Sequence, residues 1–180
     1  MNEQSIKNLE EQTRKVFNKV IQSPELMNEL GRTVVEDIQF QTKRGKSIPN
    51  GLKPFKKLSE SWIETRGRIT SSLSDTFSKR RSNLSASGQL LNGLKWFIEG
   101  AGKIRIGFTG SHQPYTIKRK DGKGTYKSGE ALPNEELAQY VADQGRPFVG
   151  VSPQVQTRLK SRVLAYIRRS ARVLRAFSMK

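Results

Sequence analysis

The stretch that decides the fold runs from Trp96 to Phe108 and reads WFIEGAGKIRIGF. Its two apolar arms flank a glycine-containing segment at 99–102, an arrangement typical of a β-hairpin. In the second arm, Ile104, Ile106 and Phe108 alternate with polar residues or glycine, which predicts one buried face. Helical patterns lie on both sides of this hairpin, so the sequence favours the α+β class.

Long amphipathic helices are predicted at both ends of the chain. Apolar residues at helical spacing indicate a first helix over residues 6–21 and a second that ends near Gly45. Cap and first-turn pairs precede the second and the last of the long helices, at Ser23-Pro24 and Ser152-Pro153. Shorter helices are expected to begin near three further positions: Ser59, Ser87 and Pro133.

The remaining segments predict strands and loops. Residues 115–120 and 124–127 flank Asp121-Gly122, a favoured tight-turn pair. That second hairpin is too polar for a core, so we expect it to project. Residues 146–151 indicate a strand, and the Ser-, Lys- and Arg-rich stretch 70–83 indicates a mobile surface loop. The expected fold is one small, mostly antiparallel sheet that carries the Trp96, Ile106 and Phe148 regions and is covered by the terminal helices.

The length of 180 residues predicts a single domain, 1–180. Along it we expect N-terminal helices (1–45), loops and short helices (46–95), a β-rich region with the projecting hairpin (96–151) and a basic C-terminal helix (152–180). The polar start predicts no signal peptide, and no apolar stretch is long enough to predict a membrane span. We therefore expect a protein made in the cytoplasm and not bound to a membrane.

The charge is strongly basic, with 33 Lys and Arg against 16 Asp and Glu and a net charge of +17. Such a charge suits contact with a polyanion, nucleic acid above all, or with an acidic protein partner, and it does not choose between them. The terminal helix concentrates the basic residues and contains no acid. The plain alternative is a docked amphipathic helix whose basic face is simply solvated. The candidate contacts are Lys79, Arg80, Arg81, Lys118, Arg119, Lys120, Arg158, Arg162, Arg168, Arg169, Arg172 and Arg175.

No catalytic pattern stands out in the sequence. Cysteine is absent, and His112 is the single histidine, so the usual zinc-ligand sets are excluded. Residues 100–104 and 122–125 look superficially like phosphate loops but lack the required spacing. We therefore predict a non-enzyme with no cofactor and no metal site.

Four segments stand out when taken in order: 51–59 (GLKPFKKLS), 84–94 (LSASGQLLNGL), 104–107 (IRIG) with Pro114-Tyr115, and 145–150 (GRPFVG). Together they resemble the phage virion morphogenesis proteins, the tail-completion or neck proteins of tailed phages. Thr116 stands where that family usually has alanine after the tyrosine, and the hairpin that follows is long and basic. With the helices at either end, the likeness spans about residues 1–170.

The resemblance implies a structural protein of the virion neck, assembled in the host cytoplasm, that joins the DNA-filled head to the tail. Its expected partners are other copies of the chain in a ring, a connector or head-closure protein, and a tail terminator. DNA contact stays open. The alternative is a basic nucleic-acid-binding protein that uses the C-terminal helix and basic loops on phosphates.

Overall fold

The computed structural model describes residues 3–71, 73, 77, 78, 80, 84 and 88–178. Helices and short antiparallel strands both occur, which confirms the α+β class. The predicted surface loop 70–83 lies largely outside the described residues. The helices are α1 (Glu3–Ile21), α2 (Pro24–Lys43), α3 (Glu60–Gly67), α4 (Gln89–Asn92), α5 (Asn134–Asp143) and α6 (Pro153–Ser178). The strands are β1 (Lys46–Ser47), β2 (Lys53–Pro54), β3 (Leu94–Gly100), β4 (Lys103–Phe108), β5 (Ser111–His112), β6 (Thr116–Lys118), β7 (Thr125–Lys127) and β8 (Leu132–Pro133).

Contacts group the chain into two compact units. Unit 1 takes the described residues of Met1–Val34, Trp96–Arg105 and Pro153–Lys180, and unit 2 those of Val35–Lys95 and Ile106–Ser152. The single domain and its four-part division along the chain stay predictions.

Unit 1 packs the terminal helices together around a small apolar cluster. Val20, Leu26 and Met27 are buried, and six half-buried side chains pack against them: Val16, Leu30, Ile104, Val163, Tyr166 and Ile167. Ser23 ties the cluster down, since its hydroxyl accepts from the Leu26 amide at 3.2 Å and pairs with the Tyr166 hydroxyl at 2.7 Å. The hairpin tip joins this unit because the Gly102 amide donates to the Ile21 carbonyl at 2.7 Å.

Gly31 in α2 marks a close approach within unit 1. A Cβ at this position would lie 2.5 Å from the indole ring of Trp96. The same indole donates from Nε1 to Asn28 Oδ1 at 3.0 Å. A side chain at position 31 therefore has to displace the indole of Trp96 from its packing on α2 and from its hydrogen bond to Asn28.

Unit 2 has its core in fully buried side chains that come from distant parts of the chain: Ile38, Leu91, Leu94, Ile117 and Phe148. Among the described residues the strands form four separate two-stranded pairs, β1–β2, β3–β4, β5–β8 and β6–β7. The predicted hairpin at 96–108 is confirmed as β3 and β4. The two strands belong to unit 1 at residues 96–105 and to unit 2 beyond them.

The predicted strand at 146–151 is wrong, and Phe148 therefore does not share a sheet with Trp96 and Ile106. This segment has no strand pairing. Pro147 has no N–H to donate to a ladder, and its carbonyl accepts from the Ser47 hydroxyl at 2.6 Å. Phe148 itself is only 1% exposed and lies edge-to-face with Phe108, with ring centroids 6.0 Å apart. The burial of Phe148 and the hydrogen bond from Ser47 therefore hold this segment, and no strand pairing is needed.

The second predicted hairpin is confirmed as β6 and β7. The expectation that the whole hairpin projects away from the core is wrong for the residues at its base, where the two strands start and end. Thr116 pairs with Lys127, and Ile117 pairs with Tyr126. Ile117 is 1% exposed and bridges to Ile69, so β6 contributes to the core of unit 2. Beyond that base, residues 118–131 are exposed.

We predict that Phe148→Ala lowers the free energy of unfolding by about 3–5 kcal/mol, because it empties a fully buried ring site. Val149→Ala is the matched control, since that side chain is 40% exposed, and its expected cost is about 0.5 kcal/mol or less. Urea unfolding followed by circular dichroism measures both values. Equal losses in the two variants would contradict the anchoring role of Phe148.

We also predict that Gly31→Ala destabilises the protein by about 1–3 kcal/mol through overpacking, although alanine favours helix over glycine. In a Trp62→Phe background, the fluorescence emission of Trp96 should shift as the indole moves. Arg32→Ala, an exposed neighbour on the same helix, should leave the emission unchanged. A more stable Gly31→Ala variant with unchanged emission would show that the indole is not held against this helix.

Candidate functional site

The basic side of α6 remains on the surface because the apolar side of the helix packs within unit 1. Val163, Tyr166 and Ile167 lie against the cluster of Val20, Leu26 and Met27. The guanidinium-bearing side chains that face away are exposed: Arg158, Arg168, Arg169 and Arg172. No ion pair with an acid of the described chain involves these four. They form the surface that we call the α6 basic face.

Arg162 departs from the predicted pattern. The sequence shows no acid in the terminal helix, yet Arg162 forms an ion pair with Glu29 of α2 within unit 1. The expectation that the cations of α6 have no compensating acid is therefore wrong at this position. Tertiary packing supplied a partner more than a hundred residues away, which no local pattern could indicate. The side chain of Arg175 lies outside the part of the structure that is described.

The predicted cations of the second hairpin belong to unit 2, whereas α6 belongs to unit 1. Lys118, Arg119 and Lys120 are all exposed. Lys120 is paired, since its Nζ lies 3.0 Å from Glu64 Oε1 of α3. Of the candidate loop residues, Arg80 is exposed, and Lys79 and Arg81 lie outside the described residues.

A cleft in unit 2 is the feature that sequence reasoning missed. Its volume is about 790 Å³. Walls come from the segment before α3, from α3 itself, from α5 and from the region of β5. Its basic lining residues are Lys56, Lys57, Arg66 and Arg146, and no Asp or Glu of the described chain lines it. We call it the cationic cleft.

Two arginines hold the walls of the cationic cleft in place. Arg146 donates from Nε and Nη2 to the backbone carbonyls of Lys56 and Lys57, at 3.3 and 3.1 Å. Arg66 on α3 is 4% exposed, and its guanidinium lies 5.0 Å from the ring centroid of Phe77. Burial lowers the pKa of Arg66, and that pKa starts so high that the group stays charged at neutral pH.

His112 lines the same cleft. Its imidazole is half-buried and lies edge-to-face with Tyr115, with ring centroids 4.9 Å apart. Burial lowers the pKa of His112 below its ordinary value. Within the described residues its Nδ1 has no hydrogen-bond partner. This arrangement favours a neutral ring that contributes apolar surface to the wall.

The part of the chain that the structure describes contains neither a metal-binding cluster nor a membrane-spanning helix. No group of three or more His, Cys, Asp or Glu side chains there is placed to hold a metal ion. No described helix is long and apolar enough to cross a membrane.

Sequence reasoning missed the cationic cleft because its residues come from separated segments that look ordinary one at a time. The one signal was the pair Lys56-Lys57 a few residues before Trp62. Arg146, some ninety residues further along the chain, donates hydrogen bonds to the carbonyls of Lys56 and Lys57. These long-range bonds bring Arg146 and the lysine pair together at the cleft.

No protein-family model matches this sequence, and neither a curated protein nor a solved structure is detectably similar to it.

We predict that the protein loses stability as the pH falls from about 7 to 5, partly through His112. The unfolded imidazole takes up a proton below about pH 6.5, whereas the buried one stays neutral to lower pH, so protons favour the unfolded state. The contribution of His112 to the free energy of unfolding is fully present above the pKa of the imidazole in the unfolded chain. It is lost as the pH falls towards the lower pKa of the imidazole in the folded protein. Urea unfolding at each pH should show a smaller fall for His112→Gln than for the unchanged protein.

Gln113→Ala, at an exposed neighbouring position, is the control and should keep the original pH dependence. Two carboxylates, Glu11 and Glu99, have pKa values lowered by their lysine and arginine partners. Their effect begins only below the ordinary carboxylate pKa and so falls outside this range. Identical pH profiles for His112→Gln and the unchanged protein would rule out the imidazole as the cause.

Proposed function

We propose that this chain is a structural protein of the head–tail neck of a tailed phage, where it acts in tail completion by assembling into a ring. The observation that carries the proposal is that three of the four segments bearing the family resemblance place buried side chains in the core of unit 2. Phe55 of the first segment and Leu90, Leu91 and Phe148 of the others are buried there. Segments that set a family's fold are expected to pack in this way.

Two hydrogen bonds join the first and the last of these segments. Arg146, in the segment 145–150, donates to the carbonyls of Lys56 and Lys57 in the segment 51–59. Ser47 then donates to Pro147, which fixes the same region from a second side. The order and spacing of the segments in the sequence therefore correspond to one packed arrangement, which supports the resemblance.

The surfaces that unit 2 leaves exposed suit assembly. All three residues of β7 are exposed, and among the described residues β7 pairs with β6 alone, so its other edge is open. Open strand edges and charged faces are the features through which a chain adds to a neighbour. A ring requires heterologous, head-to-tail contacts that close on themselves.

A joining experiment tests this proposal. We predict that phage lacking the chain accumulate filled heads and separate tails, and that adding the purified protein restores joined, infectious particles. The reason is that a completion protein is needed only at the junction. Electron microscopy and plaque counts measure the outcome. Normal joined particles in the absence of the chain would contradict the proposal.

The α6 basic face favours one alternative, a nucleic-acid-binding protein, because Arg158, Arg168, Arg169 and Arg172 are exposed without an acidic partner in the described chain. Under that alternative DNA affinity is high and falls steeply with salt, with a log–log slope of about −0.9 per phosphate contacted. Under the neck proposal binding is weak at 150 mM salt.

The two functions are separated by changing these four arginines to alanine. We predict that the variant loses head–tail joining while the small DNA affinity measured by fluorescence anisotropy changes little. Loss of tight DNA binding with joining intact would favour the alternative. A variant with Lys53, Lys95, Lys123 and Lys127 changed to alanine controls for the loss of four charges, since these exposed lysines lie outside α6.

A further inference from the structure

The cationic cleft of unit 2 has a charge pattern that points to a ligand. Lys56 and Lys57 are exposed at its wall, and none of the ion pairs of the described chain involves either side chain. Two acids on the helices that form the cleft are engaged elsewhere. Glu64 binds Lys120, and Asp143 accepts from the Gln139 amide at 2.8 Å. The described lining therefore carries positive charge alone.

Part of the cleft lining is aliphatic. Leu58, Leu90, Leu137 and Val141 form this part. Two aromatic residues at the cleft are exposed, Trp62 at 37% and Tyr140 at 60%. Large apolar side chains left in water beside a concave surface are typical of a binding site.

The size of the cleft limits what it takes. A volume of about 790 Å³ lies within the range of roughly 300–1,000 Å³ that is usual for sites holding small ligands or a few side chains. One wall is held in advance by the bonds from Arg146 to Lys56 and Lys57. A site that is already shaped pays little for ordering on binding.

We propose that the cationic cleft binds a short acidic segment of a partner protein. An apolar side chain of that segment packs on the aliphatic lining residues Leu58, Leu137 and Val141. Its carboxylates pair with Lys56 and Lys57. The inference goes beyond the neck function and does not depend on it, since it rests only on the lining of the cleft.

A peptide suits the cleft better than a single-stranded nucleic acid does. Nucleic-acid grooves track the backbone over several nucleotides and offer aromatic rings on which successive bases stack. A cleft of about 790 Å³ is too small to follow a backbone over several nucleotides, and beside its aromatic rings it presents aliphatic side chains that suit a leucine or valine.

A displayed library of random twelve-residue peptides, selected on the full chain, tests the proposal. We expect the enriched peptides to combine several Asp or Glu with a central apolar residue. Their affinity, measured by fluorescence anisotropy, should fall at least tenfold in the Lys56→Gln/Lys57→Gln variant. The affinity should fall several-fold in Tyr140→Ala. Because the ring of Tyr140 is 60% exposed, its removal should leave the folded structure unchanged.

The matched control is Lys123→Gln/Lys127→Gln, which removes the same charge from exposed positions that do not line the cleft. It should bind the enriched peptides as the unchanged chain does. Thermal unfolding checks that all variants fold. The proposal is overturned by a selection that enriches nothing, or by peptides that bind the cleft variants equally well. Oligo(dT) binding that is lost in the same variants, with no peptide binding, would overturn it in favour of a nucleic acid.

Discussion

The ring of Phe148 packs edge-to-face on Phe108 in the core of unit 2, and the neighbouring residues take their positions from it. Arg146 comes two residues earlier and reaches the carbonyls of Lys56 and Lys57. That bond shapes one wall of the cationic cleft and joins two of the segments that carry the family resemblance. The burial of one aromatic side chain thus supports both the packing of unit 2 and its binding surface.

Unit 1 illustrates a different use of amphipathic sequence. The apolar stripe of α6 packs against the cluster of Val20, Leu26 and Met27. The arginines on the other side of the helix therefore contact solvent or a partner. The ion pair between Arg162 and Glu29 offsets part of that charge. The α6 basic face, which has no ion pair with an acid of the described chain, is the feature that keeps DNA binding as an alternative beside assembly.

Local patterns predicted most of the helices and both hairpins, because capping residues, helical spacing and tight-turn pairs act over a few residues. They failed where distant contacts decide. Residues 146–151 look like a strand, yet Pro147 and the burial of Phe148 fix them without a ladder. The partner of Arg162 and the lining of the cationic cleft come from distant segments. The candidate cations of the terminal helix were found from sequence, whereas the cleft was not.

The most direct test of the neck function is the number of copies of this chain in gradient-purified phage particles, measured by quantitative mass spectrometry with labelled peptide standards. A closed ring predicts a fixed value on the order of six or twelve copies per particle. A value near zero, or one that varies between preparations, would contradict a structural role in the virion.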